Sequence, residues 1–398
     1  MSFNSQMQAL GSQGSEIREI FEYGRRRKAE IGDDKVYDFS LGNPSVPAPA
    51  SVNEELIRIL KDRDSVKVHG YTSAAGDMDT RKAICDDLKE RFGSPLVPEL
   101  TYMTCGAAAG LCCAFRGLAS EDADEFIAFA PFFPEYTVFC NTNNGRLVTV
   151  MMRDEDFQID PAALEAAVTP RTKGVVVNSP NNPAGVVYTE ESIRAICSVL
   201  EKKQAEYGHP IYIITDEPYR ELVYGGACVP HIPNYYDNTI LCYSYSKSLS
   251  LPGERIGYAA VSPKAEDALQ VYQAICGAGR ALGYVCAPSL MQYMIAKCTG
   301  QTSDIGVYAE NRRLLLDALT EYGFRCVPPD GAFYLFMQAA EPDARKFAEK
   351  AKAHELLVVP CDSFGCPGYV RIGYCVDTDM IRRSLPEFKA LAQEYGLC

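Results

Sequence analysis

The stretch Ile240-Leu241-Cys242-Tyr243-Ser244-Tyr245-Ser246-Lys247-Ser248, continuing to Pro252-Gly253-Glu254-Arg255-Ile256-Gly257, decides how this chain is read. A short apolar run ends in hydroxyls and a lysine, with an arginine eight residues further on. The same design occurs three more times. Phe126–Phe129 runs into Ala130-Pro131-Phe132-Phe133-Pro134, Val175–Val177 into Asn178-Ser179-Pro180-Asn181-Asn182-Pro183, and Ile211–Thr215 into Asp216-Glu217-Pro218-Tyr219. Short continuous apolar runs suit strands buried on both faces, as in a mostly parallel sheet covered by helices. Helix-like segments lie between them, such as Glu190–Tyr207 with Thr189 as its N-cap. The class is therefore α/β. Its chemically interesting residues fall just after strands, at the sheet edge where open α/β proteins bind ligands.

Around that frame, 398 residues exceed the size at which one hydrophobic core stops growing, so two domains are expected. The C-terminal third reads differently, with a long helical region from about Pro288 to Tyr322. Strand-like pieces follow at Ala332–Met337, Leu356–Val359 and Tyr369–Tyr374, which describes a smaller α+β unit. A net charge of −13 argues against a general nucleic-acid binder but leaves room for a locally positive pocket. The 16 cysteines show no CxxC and no zinc spacing, so most read as small buried hydrophobes of a reducing compartment. No metal is expected. The N-terminus lacks an apolar signal region, the run Arg25 to Lys28 reads as a solvated helix end, and no stretch of about 20 apolar residues occurs. The expected location is the cytoplasm.

Four segments carry chemistry. Lys247 sits at the edge of a core, where desolvation and a nearby cation lower an amine's pKa and favour imine formation. Ser244, Ser246 and Arg255 crowd the same volume and offer hydroxyls and a guanidinium to a phosphate. Asp216 ends a hydrophobic strand, where a carboxylate is costly unless paired; a protonated pyridine nitrogen is such a partner. Tyr219 lies three residues on. The proline-rich loop Asn178 to Gly185 would hold the Asn182 amide in one direction. Thr104-Cys105-Gly106-Ala107-Ala108-Ala109-Gly110 opens a helix with small residues, so its backbone N–H groups can close on an anion. This is neither a GxGxxG fingerprint nor a P-loop. Taken singly, each segment has a plain structural reading: a surface lysine, a helix-capping aspartate, a tight turn, a close helix contact.

Together, in this order and spacing, they resemble the class I/II aminotransferases, the aspartate aminotransferase family of fold-type I pyridoxal-phosphate (PLP) enzymes. The resemblance runs from Ser40-Leu41-Gly42-Asn43-Pro44 to Val370-Arg371-Ile372-Gly373-Tyr374. It implies a large PLP-binding domain over 48–288, with a mostly parallel, mixed seven-stranded sheet between helices. It also implies a small domain built from 1–47 and 289–398. By the same resemblance Lys247 forms the aldimine with PLP and shuttles the proton, and Asp216 pairs with the pyridine nitrogen. Tyr219 and Asn182 bond the ring oxygen, and Phe133 stacks on the ring. The backbone at Gly106, Ala107 and Ala108 holds the phosphate with Ser244, Ser246 and Arg255. Many relatives have a polar side chain where this chain has Ala108. Tyr71 resembles the tyrosine that reaches the phosphate from a second subunit, which implies a homodimer. Arg371 resembles the arginine that binds the substrate α-carboxylate, near Gly42, Asn43 and Asn182. Arg280 lies where some dicarboxylate-specific relatives keep a second arginine, although the spacing departs from theirs.

The implied activity is a ping-pong transfer of an amino group between an L-amino acid and a 2-oxo acid; a preference for aspartate and other dicarboxylates is a hypothesis that depends on Arg280, which reads equally as a structural or interface residue. The alternative on the same scaffold is a lyase, such as a C–S β-lyase, because fold alone does not choose the reaction. Arg371 favours retention of the α-carboxylate and so transamination over decarboxylation. A non-catalytic regulator on this scaffold is a third reading, but no basic helix-turn-helix precedes the domain and Lys247 is present.

Overall fold

The four apolar runs form adjacent strands at the centre of one sheet in the computed structural model, which describes residues 3–12, 14–120 and 123–398. The expectation about a signal region rests partly on Met1, Ser2 and Gln13, which lie outside the described residues. In spatial order the strands are Thr101–Thr104, Gly257–Val261, Thr239–Ser244, Tyr212–Asp216, Thr172–Asn178, Asp124–Ala130 and Gly145–Met151. Only Gly257–Val261 runs antiparallel to its neighbours, so the sheet is mixed and mostly parallel. The seven-stranded sheet between helices is the architecture implied by the family resemblance.

Alternate residues explain why these runs are apolar throughout. Ile127, Val175, Val177 and Ile213 pack into one core layer, while Ala128, Val176, Ile214 and Cys242 pack into another. Both faces are thus removed from water, and a polar residue inside a run would need a buried partner. The register sets the carboxyl ends side by side. Asn178 is opposite Asp216, Asp216 is opposite Cys242, and Ser244 is opposite Gly257. The helix Glu190–Tyr207 begins as read: the Thr189 hydroxyl accepts from the Ser192 N–H at 3.1 Å, and Gly208 closes the helix at φ +72°.

A second, antiparallel sheet has the order Val359–Pro360, Tyr369–Gly373, Tyr334–Gln338, Cys326–Val327. Arg371 lies in its middle, opposite Phe336 and Val359. The run Leu356–Val359, expected as one strand, divides. Leu356–Leu357 pairs in parallel with Tyr37–Asp38, whereas Val359–Pro360 turns to the second sheet. The expected helix from Pro288 to Tyr322 also divides, into Ser289–Cys298 and Gly306–Glu321. Gly300 (φ +75°) lies between them, and the Ser303 N–H reaches the Ser248 carbonyl at 2.7 Å. In both places long-range pairing overrides local periodicity. All 16 cysteines are free and nine are buried. Among the described residues no helix is long and apolar enough to cross a membrane, and no group of three or more His, Cys, Asp or Glu could hold a metal ion.

Candidate active site

At the carboxyl ends of the central strands lies a cleft of about 890 Å³. Asp216, Asn178 and Ser244 reach it as the last residues of their strands. Lys247 reaches it from the single helical turn Tyr245–Ser248, whose first free N–H, that of Ser246, is accepted by the Ser244 hydroxyl at 3.3 Å. Arg371 and Tyr334 enter from the second sheet, and Leu41 and Gly42 from the N-terminal strap.

Lys247 donates from Nζ to the Gly42 carbonyl at 2.5 Å. Burial pulls its pKa down to about 8; Cys375 opposes this, and Arg371 and Arg255 add to it. An amine so poised is in good part neutral near pH 8, the form that attacks a carbonyl or accepts a proton. Asp216 shows the opposite shift. Burial raises its pKa to about 7, against the hydrogen bond from Tyr136 and with help from Glu217. The Tyr136 hydroxyl donates to Oδ2 at 2.5 Å, while Oδ1 is buried with no hydrogen-bond partner. A buried carboxylate oxygen left bare is costly, and a cationic N–H placed against it reverses that cost.

Arg371 is 2% exposed. Its two Nη atoms donate to Asn182 Oδ1 (3.1 Å) and to the Ser40 carbonyl (2.6 Å), and its Nε–H is unpartnered. No carboxylate neutralises it among the described residues. A buried guanidinium with neutral partners and one spare donor suits an incoming carboxylate. The Asn182 oxygen is used by Arg371, which leaves its NH₂ group for another acceptor.

The far end is built for an anion. The helix Ala107–Leu118 starts there after Gly106, whose φ is +86°. That φ strains any other L-residue, and a Cβ there would also lie 2.7 Å from Arg255 Nη2 and push the guanidinium aside. Arg255 is held by the carbonyls of Cys105 (3.2 Å) and Pro252 (3.0 Å) and lies 3.5 Å from the Ser246 hydroxyl. Ser244 and Ser246 share a hydrogen bond of 2.7 Å. Helix N–H groups, two hydroxyls and a guanidinium together meet the needs of a phosphate.

The "Aminotransferase class I and II" family model matches residues 34–386. The chain belongs to that family. Its relatives include the aspartate aminotransferase of Thermotoga maritima, 29% identical over 377 residues that cover 93% of this chain and 95% of that one. The probable aspartate/prephenate aminotransferase of Thermus aquaticus is 30% identical, with 89% and 91% covered. Among solved structures, an aminotransferase from Eubacterium rectale superposes with a TM-score of 0.97 at 55% identity, covering 99% of both chains. The aspartate aminotransferase of Thermus thermophilus with maleate superposes with a TM-score of 0.85 at 26% identity, covering 98% of this chain and 100% of that one. The chain is a PLP-dependent aminotransferase, and the bare oxygen of Asp216 together with the anion-binding end fits that cofactor.

In this aminotransferase the cleft gathers Lys247, Asp216, Tyr219, Asn182, Phe133, Ala107, Ala108, Ser244, Ser246, Arg255, Gly42 and Arg371. Gly106 sits at the helix start beside it. Three residues singled out from the sequence are elsewhere. Tyr71 is 89% exposed and does not line the cleft of its own chain. Asn43 and Arg280 are exposed and also lie outside it. Sequence reading passed over Tyr136, Tyr334 and Arg18. Tyr136 and Tyr334 are two of 24 tyrosines, and nothing local separates them from core tyrosines. Arg18 lines the cleft from the first turn of the helix Glu16–Ile31, and no hydrogen bond or ion pair engages it among the described residues.

Proposed function

We propose that this chain exchanges an amino group between an acidic L-amino acid and a 2-oxo acid in a ping-pong cycle, with Lys247 as the residue that holds PLP. One observation carries the reading: a poised amine, a buried carboxylate with one bare oxygen and a buried arginine with one spare donor all face a single cleft. Bound PLP supplies the electron sink that acidifies the substrate Cα–H. Asp216 Oδ1 accepts from the ring N–H and keeps it protonated. Tyr219 and the Asn182 amide would donate to the ring oxygen, and Phe133 would offer an aromatic face to the ring. The backbone at Gly106, Ala107 and Ala108 binds the phosphate with Ser244, Ser246 and Arg255. Arg371 takes the α-carboxylate beside Gly42 and Asn43. Once free, the Lys247 amine would take up and carry the substrate Cα proton. Relatives named aspartate aminotransferase support the acidic substrate class, as does the unpaired Arg18 on the cleft wall. Arg280, outside its own chain's cleft, gains no such support. The relatives named above are all transaminases, and no observation favours a lyase.

The deciding experiment is the visible spectrum of the purified protein, before and after mixing with single amino acids. The expected result is a pH-sensitive band that bleaches with aspartate or glutamate at lower concentration than with alanine. A colourless protein that added PLP does not restore would overturn the reading. Bleaching by alanine at equal or lower concentration would remove the acidic preference.

Arg371→Lys should raise KM for the amino acid about 100-fold, because an ammonium offers no planar fork to a carboxylate. It should lower kcat much less. Steady-state kinetics checks this, and a KM within a few-fold of wild type would refute the role.

The same reading extends to a homodimer in which Tyr71, exposed in a single chain, reaches the phosphate of a second copy. Lys247→Ala and Tyr71→Ala chains, each poorly active, should regain activity when mixed, because one site of the hybrid is intact. Mixing without recovery would count against it. Cell fractionation would check the cytoplasmic location expected from the sequence.

A further inference from the structure

The hydroxyl of Tyr334 lies 3.0 Å from that of Tyr219, and both side chains are buried. The two come from different sheets: Tyr219 follows the strand Tyr212–Asp216, and Tyr334 opens the strand Tyr334–Gln338. Their rings meet edge to face at 5.8 Å. The contact is closely confined. A Cβ on Gly42 would lie 2.0 Å from the Tyr334 oxygen, so the strap passes there only as glycine. On the ring's face, the Arg371 guanidinium carbon stands 4.4 Å from the centroid.

Two hydroxyls in contact share one hydrogen bond, so one donates and the other keeps its proton for a second acceptor. Among the described residues each of the two hydroxyls has the other as its only hydrogen-bond partner, and both line the cleft; a Tyr334 proton aimed at Tyr219 leaves the Tyr219 proton free for the cleft. Tyr219 faces the cleft and can donate onward. The charges agree. Burial raises both phenols, Tyr219 well above its ordinary value, and Arg371 opposes the rise as the leading other influence on Tyr334. The phenol nearer the cation is the better donor.

We propose that Tyr334 is a positioning residue that donates to Tyr219 and so aims and strengthens the bond from Tyr219 to the cofactor's ring oxygen. The proposal rests on the role given to Tyr219 above. Hydrogen bonds in a chain polarise one another, so the first donor is felt by the last acceptor. Besides Arg371, Asp216 is the charged group that bears on Tyr219, and it raises that phenol further.

The test is the pH titration of the visible band in PLP-loaded protein. A donor to the ring oxygen favours its anionic form, the form present at high pH, so weakening the donor moves the midpoint up. Tyr334→Phe keeps the ring against Arg371 and should raise the midpoint by about half a unit. Tyr219→Phe should raise it further. The double variant should match Tyr219→Phe alone, because the relay then has nothing to act through. An unmoved midpoint in Tyr334→Phe overturns the relay. So does an equal upward step in the double variant, or a raised KM for the amino acid without any shift. A wild type with no visible band would instead overturn the assignment of the site beneath it.

Discussion

Lys247→Ala should cost about 10⁴-fold or more in kcat/KM while leaving the protein able to bind PLP non-covalently. The two halves of this result have separate causes. Among the described residues that line the cleft, Lys247 alone offers an amine, and on the proposed function that amine would both hold the cofactor covalently and carry the substrate proton. Its poise comes from burial, which lowers its pKa to about 8, while its bond to the Gly42 carbonyl fixes its direction. On the proposed function, affinity for the cofactor's phosphate and ring would be carried by other residues. Gly106 and the helix start, Ser244, Ser246, Arg255 and Asp216 all remain in the variant. Single-turnover kinetics with aspartate and PLP retention on gel filtration check both halves. Activity within tenfold of wild type would mean that another base does the work.

Asp216→Asn should behave in opposite ways with and without cofactor. Loaded with PLP, it loses the charge that keeps the ring nitrogen protonated, and kcat/KM should fall about 10³-fold. Free of cofactor, it should be more stable than wild type at pH 8. The folded Asp216 has its pKa raised to about 7 by burial, so the unfolded chain ionises first as pH rises. This carboxyl's favourable contribution is full below about pH 4 and is lost as pH climbs to about 7. The loss is on the order of 4 kcal/mol. Asparagine does not titrate and keeps the Tyr136 contact, so it escapes the loss. Denaturant melts of cofactor-free protein at pH 5 and pH 8 measure the difference. Adding PLP should then stabilise wild type more than the variant. A variant no more stable than wild type at pH 8 would mean that Asp216 is not a strained carboxyl in the empty fold.

Much of this could be read without coordinates, and the reason is local. Apolar runs ending in polar residues report strands buried on both faces, so four strand ends and their cargo, Phe133, Asn182, Asp216 and Lys247, were legible one by one. The spacing of Ser244, Ser246 and Arg255 around Lys247 is short enough that the chain alone brings them together. The class of the fold follows from such segments, and the cofactor from the family resemblance that they carry together.

What escaped the sequence depends on how distant segments meet. Tyr136 finds Asp216 across 80 residues, and Tyr219 finds Tyr334 across 115. Lys247 finds the Gly42 carbonyl across 205. Nothing in the flanking residues marks those tyrosines, because a buried phenol reads the same whether it meets a carboxylate or the core. The same cause divided Leu356–Val359 between two sheets and broke the helix at Gly300: pairing partners far along the chain outweighed local periodicity. It also took Arg280 out of the cleft and brought Arg18 in. Local pattern determined which residues are strand ends and which types of chemistry they carry. Only tertiary packing decided which of them share a hydrogen bond, because that choice is made by the stacking of sheets and not by spacing along the chain.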